Sequence, residues 1–377
     1  MGRRHRTVTV PAVRAVGSVG AVSSTDVLAG FTEIPVIDLG RHDRGPAERA
    51  ALAEDVRRVC HEVGFFYATG HGIEPAFVER HLAALEAFFA LDEATKARID
   101  KINSPHFRGW ERVGAELTGG RTDHREQLDV SSENPPYPRG VEPDYLHLDG
   151  PNQWLPEDVL PGFRATVGEF FERMSDLARR LMRIMATGLD LPADTFDRRF
   201  GERLHSLAKL ISYPATPPGE AGVNGHHDAG FLTVLLQHDV GGLQALSPDG
   251  RWVDVPPRPG AFVINTGEML QEMTGNYVVA ATHRVITDRP RFSSAYFHGP
   301  DLRTELAPLP LAPRFAEAVA ASPRHAGAGF MARQDELAAG VDGIAARTGA
   351  GVYGRQLWNY YTRSYPQNMT RHYGGQA

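Results

Sequence analysis

At 377 residues and 42% hydrophobic content the chain can bury a sizeable core, while 39 glycines and 27 prolines demand many turns and exclude a helical bundle. A formal charge of −6, with no long run of Lys and Arg, excludes a partner bound by counterion release such as nucleic acid, so a small molecule is the expected partner. Cys60 is the single cysteine, which rules out an internal disulfide or a thiolate metal cluster and fits a reducing cytoplasm.

Residues 1–30 begin with Arg3, Arg4, His5 and Arg6 and contain no acid before Asp26. Pro11 and Arg14 interrupt any apolar core of a targeting peptide, so a disordered extension is expected. The apolar segment 34–39 predicts a first strand. Leu52, Val56, Val59, Cys60 and Val63 then recur at helical spacing, predicting a helix over 47–63 that Gly64 ends, with Cys60 as a small buried hydrophobe. A strand over 65–69 leads into His71, which before glycine at a strand end is expected to be a structural hydrogen-bonder. A second helix is predicted over 75–89, and Asp92 is placed to cap a third.

Residues 101–160 are rich in Pro, Gly, Asn and Asp and read as loops and short strands; Trp110 there has two open readings, packing on substrate or core burial. A long helix is predicted over 162–188, with Phe163, Val167, Phe170, Phe171, Met174, Leu177, Leu181 and Ile184 on one stripe that backs a sheet. From 204 to 301 short strands alternate with turn signals, the pattern of a double-sheet jelly roll whose interior a metal can line. The fold class expected is therefore mostly β with helical additions. The tail is Ala-rich and then aromatic, with Tyr353, Leu357, Trp358, Tyr360 and Tyr361 predicted to pack helices across the outside or mouth of the barrel. No apolar run approaches the roughly 20 residues that span a bilayer, so no membrane partner is expected, and nothing in the sequence speaks to oligomeric state.

The chemistry concentrates at five positions. His226 and Asp228 are two apart, so on an extended segment they share a face. With His283 they supply two imidazoles and a carboxylate, a set that holds Fe(II) on one face of an octahedron and leaves positions for substrate and dioxygen. The adjacent His227 leaves open which histidine of the pair takes part. Arg291 and Ser293 also share a face, and a guanidinium beside a hydroxyl matches a carboxylate, so the two are expected to hold one end of a diacid.

The stretch from Gly225 to Gln237, together with Thr282-His283-Arg284-Val285 and Arg291-Phe292-Ser293, resembles the isopenicillin N synthase-like family of 2-oxoglutarate/Fe(II) dioxygenases, as does the order Gly-Phe-Phe-Tyr then His-Gly-Ile near the amino terminus. The resemblance covers roughly residues 33–310. It implies a double-stranded β-helix core flanked by helices, divided as a 31–150 N-terminal domain, a 151–310 catalytic core and a 311–377 helical tail. It selects His226 over His227, since Gly230 and Leu232-Thr233 align with His-x-Asp-x-Gly-x-Leu-Thr only in that register. It also implies that His226, Asp228 and His283 ligate iron and that Arg291, Ser293 and the Tyr213 of Tyr213-Pro214 receive the distal carboxylate of 2-oxoglutarate. Ile211 stands where many members have Asn, and one branch of the family takes its electrons from substrate without 2-oxoglutarate, so that oxidase is the alternative. Retention of Asp228 argues against halogenation. The function implied is hydroxylation, desaturation or cyclisation of a small molecule, with a place in specialised metabolism suggested only by the Ala/Gly/Arg/Pro-rich composition.

Overall fold

The computed structural model describes residues 30–118, 120–322, 325 and 351–374; the predicted extension over 1–30 lies, apart from Gly30, outside them. Strand β1 (Val36–Asp38) pairs in parallel with β2 (Phe65–Thr69) through the connecting helix α1 (Pro46–Glu62). Gly64 makes the return turn at φ +76°, and a Cβ there would meet the Val279 carbonyl oxygen at 2.3 Å. Only glycine satisfies both the left-handed backbone and the close approach. Helix α2 (Pro75–Phe89) follows, then the single-turn α3 (Glu93–Lys96), whose first turn is capped as expected by the Asp92 carboxylate accepting from the Thr95 N–H at 2.9 Å.

Five further pieces precede the barrel proper: β3 (Gly109–Glu111), the small hairpin β4 (Leu117–Thr118) and β5 (Arg121–Thr122), β6 (Glu126–Ser131) and the long helix α4 (Phe163–Gly188). After α5 (Thr195–Phe200) come β7 (Leu207–Tyr213), β8 (Val223–His226), β9 (Leu232–Gln237), β10 (Leu243–Leu246), β11 (Trp252–Asp254) and β12 (Phe262–Thr266). A short helix α6 (Glu268–Met273) separates these from β13 (His283–Val285) and β14 (Arg291–His298). The strands form an eight-stranded sheet in the order β1-β2-β12-β9-β14-β7-β6-β3 and a four-stranded sheet in the order β11-β10-β13-β8. Apart from β1 and β2 every pairing is antiparallel, and the two sheets make the expected jelly roll. Strands from both sides of residue 150 share the large sheet.

Side-chain alternation gives that sheet two different faces. On β14, Phe292, Ser294 and Tyr296 face the helices, where Phe292 stacks on Phe89, Ser294 meets His81 and Tyr296 meets Phe171. Arg291, Ser293 and Ala295 face the barrel interior, opposite Tyr213, Ile211 and Lys209 of β7. Helix α4 covers the outer face with Phe163, Val167, Phe170, Met174, Leu177, Leu181 and Ile184, all buried as the stripe predicts. Phe171 is only half-buried and touches Tyr296 edge-on. Each fully buried side chain of this kind contributes roughly 1.5–3 kcal/mol, which is why the amphipathic stripe, not helix propensity, fixes where α4 lies.

Beyond β14, α7 (Pro313–Ala321), α8 (Tyr353–Ser364) and α9 (Pro366–Tyr373) complete the described chain. The aromatic tail packs as helices on the segment before β3: Phe107 stacks on Tyr361 at 5.0 Å between ring centres, with Trp358 and Tyr365 around it. Cys60 and Trp110 are both core residues; the indole N–H of Trp110 donates to Glu126 at 2.9 Å. His71 is structural, its two ring nitrogens bonded to the Gly260 carbonyl and the Ile73 N–H. Among the described residues no helix is long and apolar enough to cross a membrane.

Candidate active site

Strands β8 and β13 pair antiparallel with His226 directly opposite His283, so a single register places the two imidazoles side by side, ring centres 4.3 Å apart. The chain leaves β8 at His226, and Asp228 follows two residues later, beside both rings. Its segment is fixed from behind: the Asp228 carbonyl accepts from the Glu268 N–H at 2.8 Å, and Gly267 lies so close that a Cβ would sit 2.3 Å from the Gly230 carbonyl oxygen. The Asp228 Oδ1 lies 3.6 Å from His226 Nε2 and 3.5 Å from His283 Nε2. One ligand atom from each residue falls within 4.8 Å of the others. Two ligand atoms about 2.1 Å from a common metal and at right angles are about 3 Å apart, so small side-chain movements complete the set.

The rest of each side chain is committed in a way that aims those atoms. Both histidines donate their Nδ1–H to main-chain carbonyls, His226 to Asn224 at 2.9 Å and His283 to Ala281 at 3.1 Å, which leaves each Nε2 as the lone-pair nitrogen. Asp228 Oδ2 accepts from the Thr233 hydroxyl at 2.5 Å and from Asn265 Nδ2 at 2.7 Å. Burial opposes charge on Asp228, but His283, His226 and the Thr233 hydrogen bond outweigh it and hold the carboxyl far below the usual range. Burial, reinforced by the neighbouring His226, pushes His283 down to about 4. On His226 burial also acts downward, yet the Asp228 carboxylate wins and raises it. An ionised carboxylate beside a neutral imidazole is the protonation state that a metal requires. His227, just past the end of β8, is engaged elsewhere, its Nε2 2.8 Å from the Thr282 hydroxyl.

On the inner face of the large sheet, Arg291 is 1% exposed at the start of β14. Its Nη1 donates to Ser293 Oγ at 3.0 Å and its Nη2 to Gln237 Oε1 at 2.9 Å, and its guanidinium lies 4.9 Å from the Tyr213 ring centre. Among the described residues no carboxylate comes within ion-pair distance, and the Arg291 Nε has no partner. A guanidinium buried without a counter-anion costs several kcal/mol, so this donor array fits a carboxylate supplied by a bound molecule. Ile211 faces Ser293 across the β7–β14 pairing and contributes only bulk.

The amino-acid sequence of a 2-oxoglutarate-dependent dioxygenase from Gibberella zeae is 35% identical over 273 residues, covering 70% of this chain and 71% of that protein. The chain belongs to the 2OG-Fe(II) oxygenase superfamily. Residues 204–300 match that superfamily itself, and residues 34–157 match the N-terminal region described as non-haem dioxygenase in morphine synthesis. A homoarginine-6-hydroxylase from Glycine max is 31% identical over 303 residues, 74% of this chain and 89% of the relative. Neurospora crassa T7H, crystallised with alpha-KG and thymine, superposes with a TM-score of 0.65 at 27% identity, covering 74% of this chain and 88% of the other. This oxygenase is thus an oxidoreductase that uses Fe(II), 2-oxoglutarate and dioxygen on a small molecule, and the alternative of an oxidase independent of 2-oxoglutarate is not favoured.

Three residues that complete this oxygenase's site carried no role in the sequence analysis: Thr233 and Asn265 on the Asp228 carboxylate, and Gln237 on Arg291. Strand parity was the available signal. Thr233 and Gln237 lie four apart on β9, and Asn265 is the direct partner of Thr233 on β12, so all three share the inner face.

Proposed function

We propose that His226, Asp228 and His283 hold the Fe(II), and that Arg291, Ser293 and Tyr213 hold the distal carboxylate of 2-oxoglutarate. The orphaned, buried guanidinium of Arg291 in the same interior as the triad is the observation that carries this reading. With metal, cosubstrate and dioxygen bound, the reaction oxidises a substrate C–H bond and releases succinate and carbon dioxide. The chain's own residues keep Asp228 ionised and His283 neutral, turn the Nδ1–H of both histidines to main-chain carbonyls, orient the diacid by a two-point grip, and line the interior with Tyr213, Ile211 and Phe65, whose ring meets His283 edge-on at 5.3 Å.

Beside the His226 segment lies an ionic cluster. Glu116 takes hydrogen bonds from Arg125 at 2.7 Å, Lys209 at 3.2 Å and the Tyr360 hydroxyl at 3.0 Å, and Arg125 also pairs with Asp123 at 3.2 Å. Asp123 in turn accepts from the side chain of Asn224, the residue whose carbonyl holds His226. A cluster of this kind favours a small molecule rich in heteroatoms over a hydrocarbon. The thymine bound by T7H and the homoarginine named for the Glycine max relative are both of that class. The overall negative charge and single buried cysteine support a cytoplasmic enzyme without nucleic-acid or membrane partners, divided as an N-terminal domain over 31–150, a catalytic core over 151–310 and a helical tail over 311–377.

Anaerobic addition of Fe(II) and 2-oxoglutarate tests the assignment. A metal-to-ligand charge-transfer band is expected in the wild type and is expected to vanish in His226→Ala. A wild type without the band, or a His226→Ala variant that keeps it, overturns the assignment.

A further inference from the structure

An octahedral ion offers six positions, and the proposed assignment uses all of them: three protein atoms, two atoms of the 2-oxoglutarate keto-acid end, and one kept for dioxygen. That count holds only if Asp228 contributes a single oxygen. Carboxylates bind metals through one oxygen or two, and nothing in an isolated aspartate prevents the second mode. In this structure Oδ1 faces both histidines while Oδ2 is turned away and engaged twice, by the hydroxyl of Thr233 and the amide of Asn265. The two donors come from directly paired positions on β9 and β12, Thr233 opposite Asn265, and both are buried. Neither residue touches the histidines through any hydrogen bond, so their hold is on this one oxygen.

We propose that Thr233 and Asn265 are positioning residues that hold Asp228 in one-oxygen ligation and thereby reserve the coordination position that 2-oxoglutarate chelation needs. The inference rests on the assignment of the triad above. It differs from a purely orienting role in what it predicts. Loss of an ordinary supporting hydrogen bond weakens metal binding, typically by 10–100-fold. Loss of this pair frees Oδ2 to join the metal, so the ion stays bound while the diacid loses its second contact.

The test uses the full chain, with Fe(II) affinity and the 2-oxoglutarate charge-transfer band per bound iron measured separately under anaerobic conditions. Thr233→Val is nearly isosteric, and thermal unfolding first confirms that it folds; Thr233→Val with Asn265→Leu removes both donors. Expected are an Fe(II) affinity within about 3-fold of wild type, a 2-oxoglutarate affinity lowered on the order of 10-fold with a weakened band, and recovery of the band in Thr233→Ser. A wild type that lacks the band sinks the triad assignment itself. Given a wild-type band, the clamp is overturned by variants that lose Fe(II) affinity 10-fold or more, by variants that keep both affinities, or by a Thr233→Ser variant that behaves like Thr233→Val.

Discussion

Arg291 combines near-complete burial with two hydrogen bonds to neutral groups and a third donor left without a partner. Burial lowers its affinity for the proton, though Tyr213 acts in the opposite sense, and a guanidinium stays charged all the same. An ammonium cannot reproduce its planar fork, so Arg291→Lys is expected to raise the KM for 2-oxoglutarate by about 10–100-fold, an amount set by the roughly 1.5–3 kcal/mol of a charged hydrogen bond. Binding of Fe(II) alone is expected to stay intact, which isothermal titration checks. An unchanged KM for 2-oxoglutarate removes Arg291 from the cosubstrate site. The same residue shows what a sequence can and cannot give. The Arg-x-Ser spacing suggested a carboxylate, but only the fold revealed that no protein carboxylate among the described residues competes for the position.

At the scale of elements, α2, α4 and β14 meet at His81. The imidazole is buried, stacked on Phe170 at 4.0 Å between ring centres and bonded through Nε2 to Ser294 Oγ at 2.9 Å, while its Nδ1 has no partner among the described residues. Burial pushes its pKa from 6.5 down to about 3. Above pH 6.5 the ring is neutral in folded and unfolded chains alike and the contact is fully present. As pH falls from 6.5 toward about 3 the unfolded chain takes up a proton that the fold refuses, so stability declines. Urea unfolding at pH 7.5 and pH 5 is expected to show a smaller acid loss in His81→Leu than in the wild type; equal losses would assign the acid sensitivity elsewhere. The element boundaries themselves were largely legible. Helix α2 falls on the predicted 75–89, α4 starts one residue later than predicted and α1 is shifted by one residue at both ends, because Pro75, Gly64 and the apolar stripes act locally. The two-residue strands β4 and β5 were not predicted, since a strand that short has no period to detect.

Across the whole molecule, a buried ionic cluster joins residues 101–129 and β7 to the C-terminal helices. Lys101 binds Glu111, Asp129 at 2.8 Å and the Tyr365 hydroxyl at 2.9 Å, and Lys209 links Asp129 to Glu116, which Tyr360 also reaches. Burial works against charge on Lys101, yet Asp129, Glu111 and Glu116 overcome it and hold the amine protonated. The cluster thereby fastens the C-terminal helices to β3 and β6. Replacing Lys101 with Met leaves Glu111 and Asp129 short of a cation, and a buried pair broken on one side costs about 3–5 kcal/mol. Denaturant unfolding at pH 7 measures this, and a loss under about 1 kcal/mol would show that Lys101 is not what compensates the carboxylates.

The sequence by itself determined the residue types and their parity: His226 with Asp228, Arg291 with Ser293, the helical stripes and the turn glycines. Those are local facts, because strand and helix periods are set within a few residues. The tertiary structure alone decided which distant positions meet. It set His226 opposite His283, brought Thr233 and Asn265 onto one carboxylate oxygen, left Arg291 without a counter-ion among the described residues, and buried Lys101 among acids. Such pairings depend on sheet register and on burial, both consequences of how separate segments pack, and no single stretch of chain encodes them.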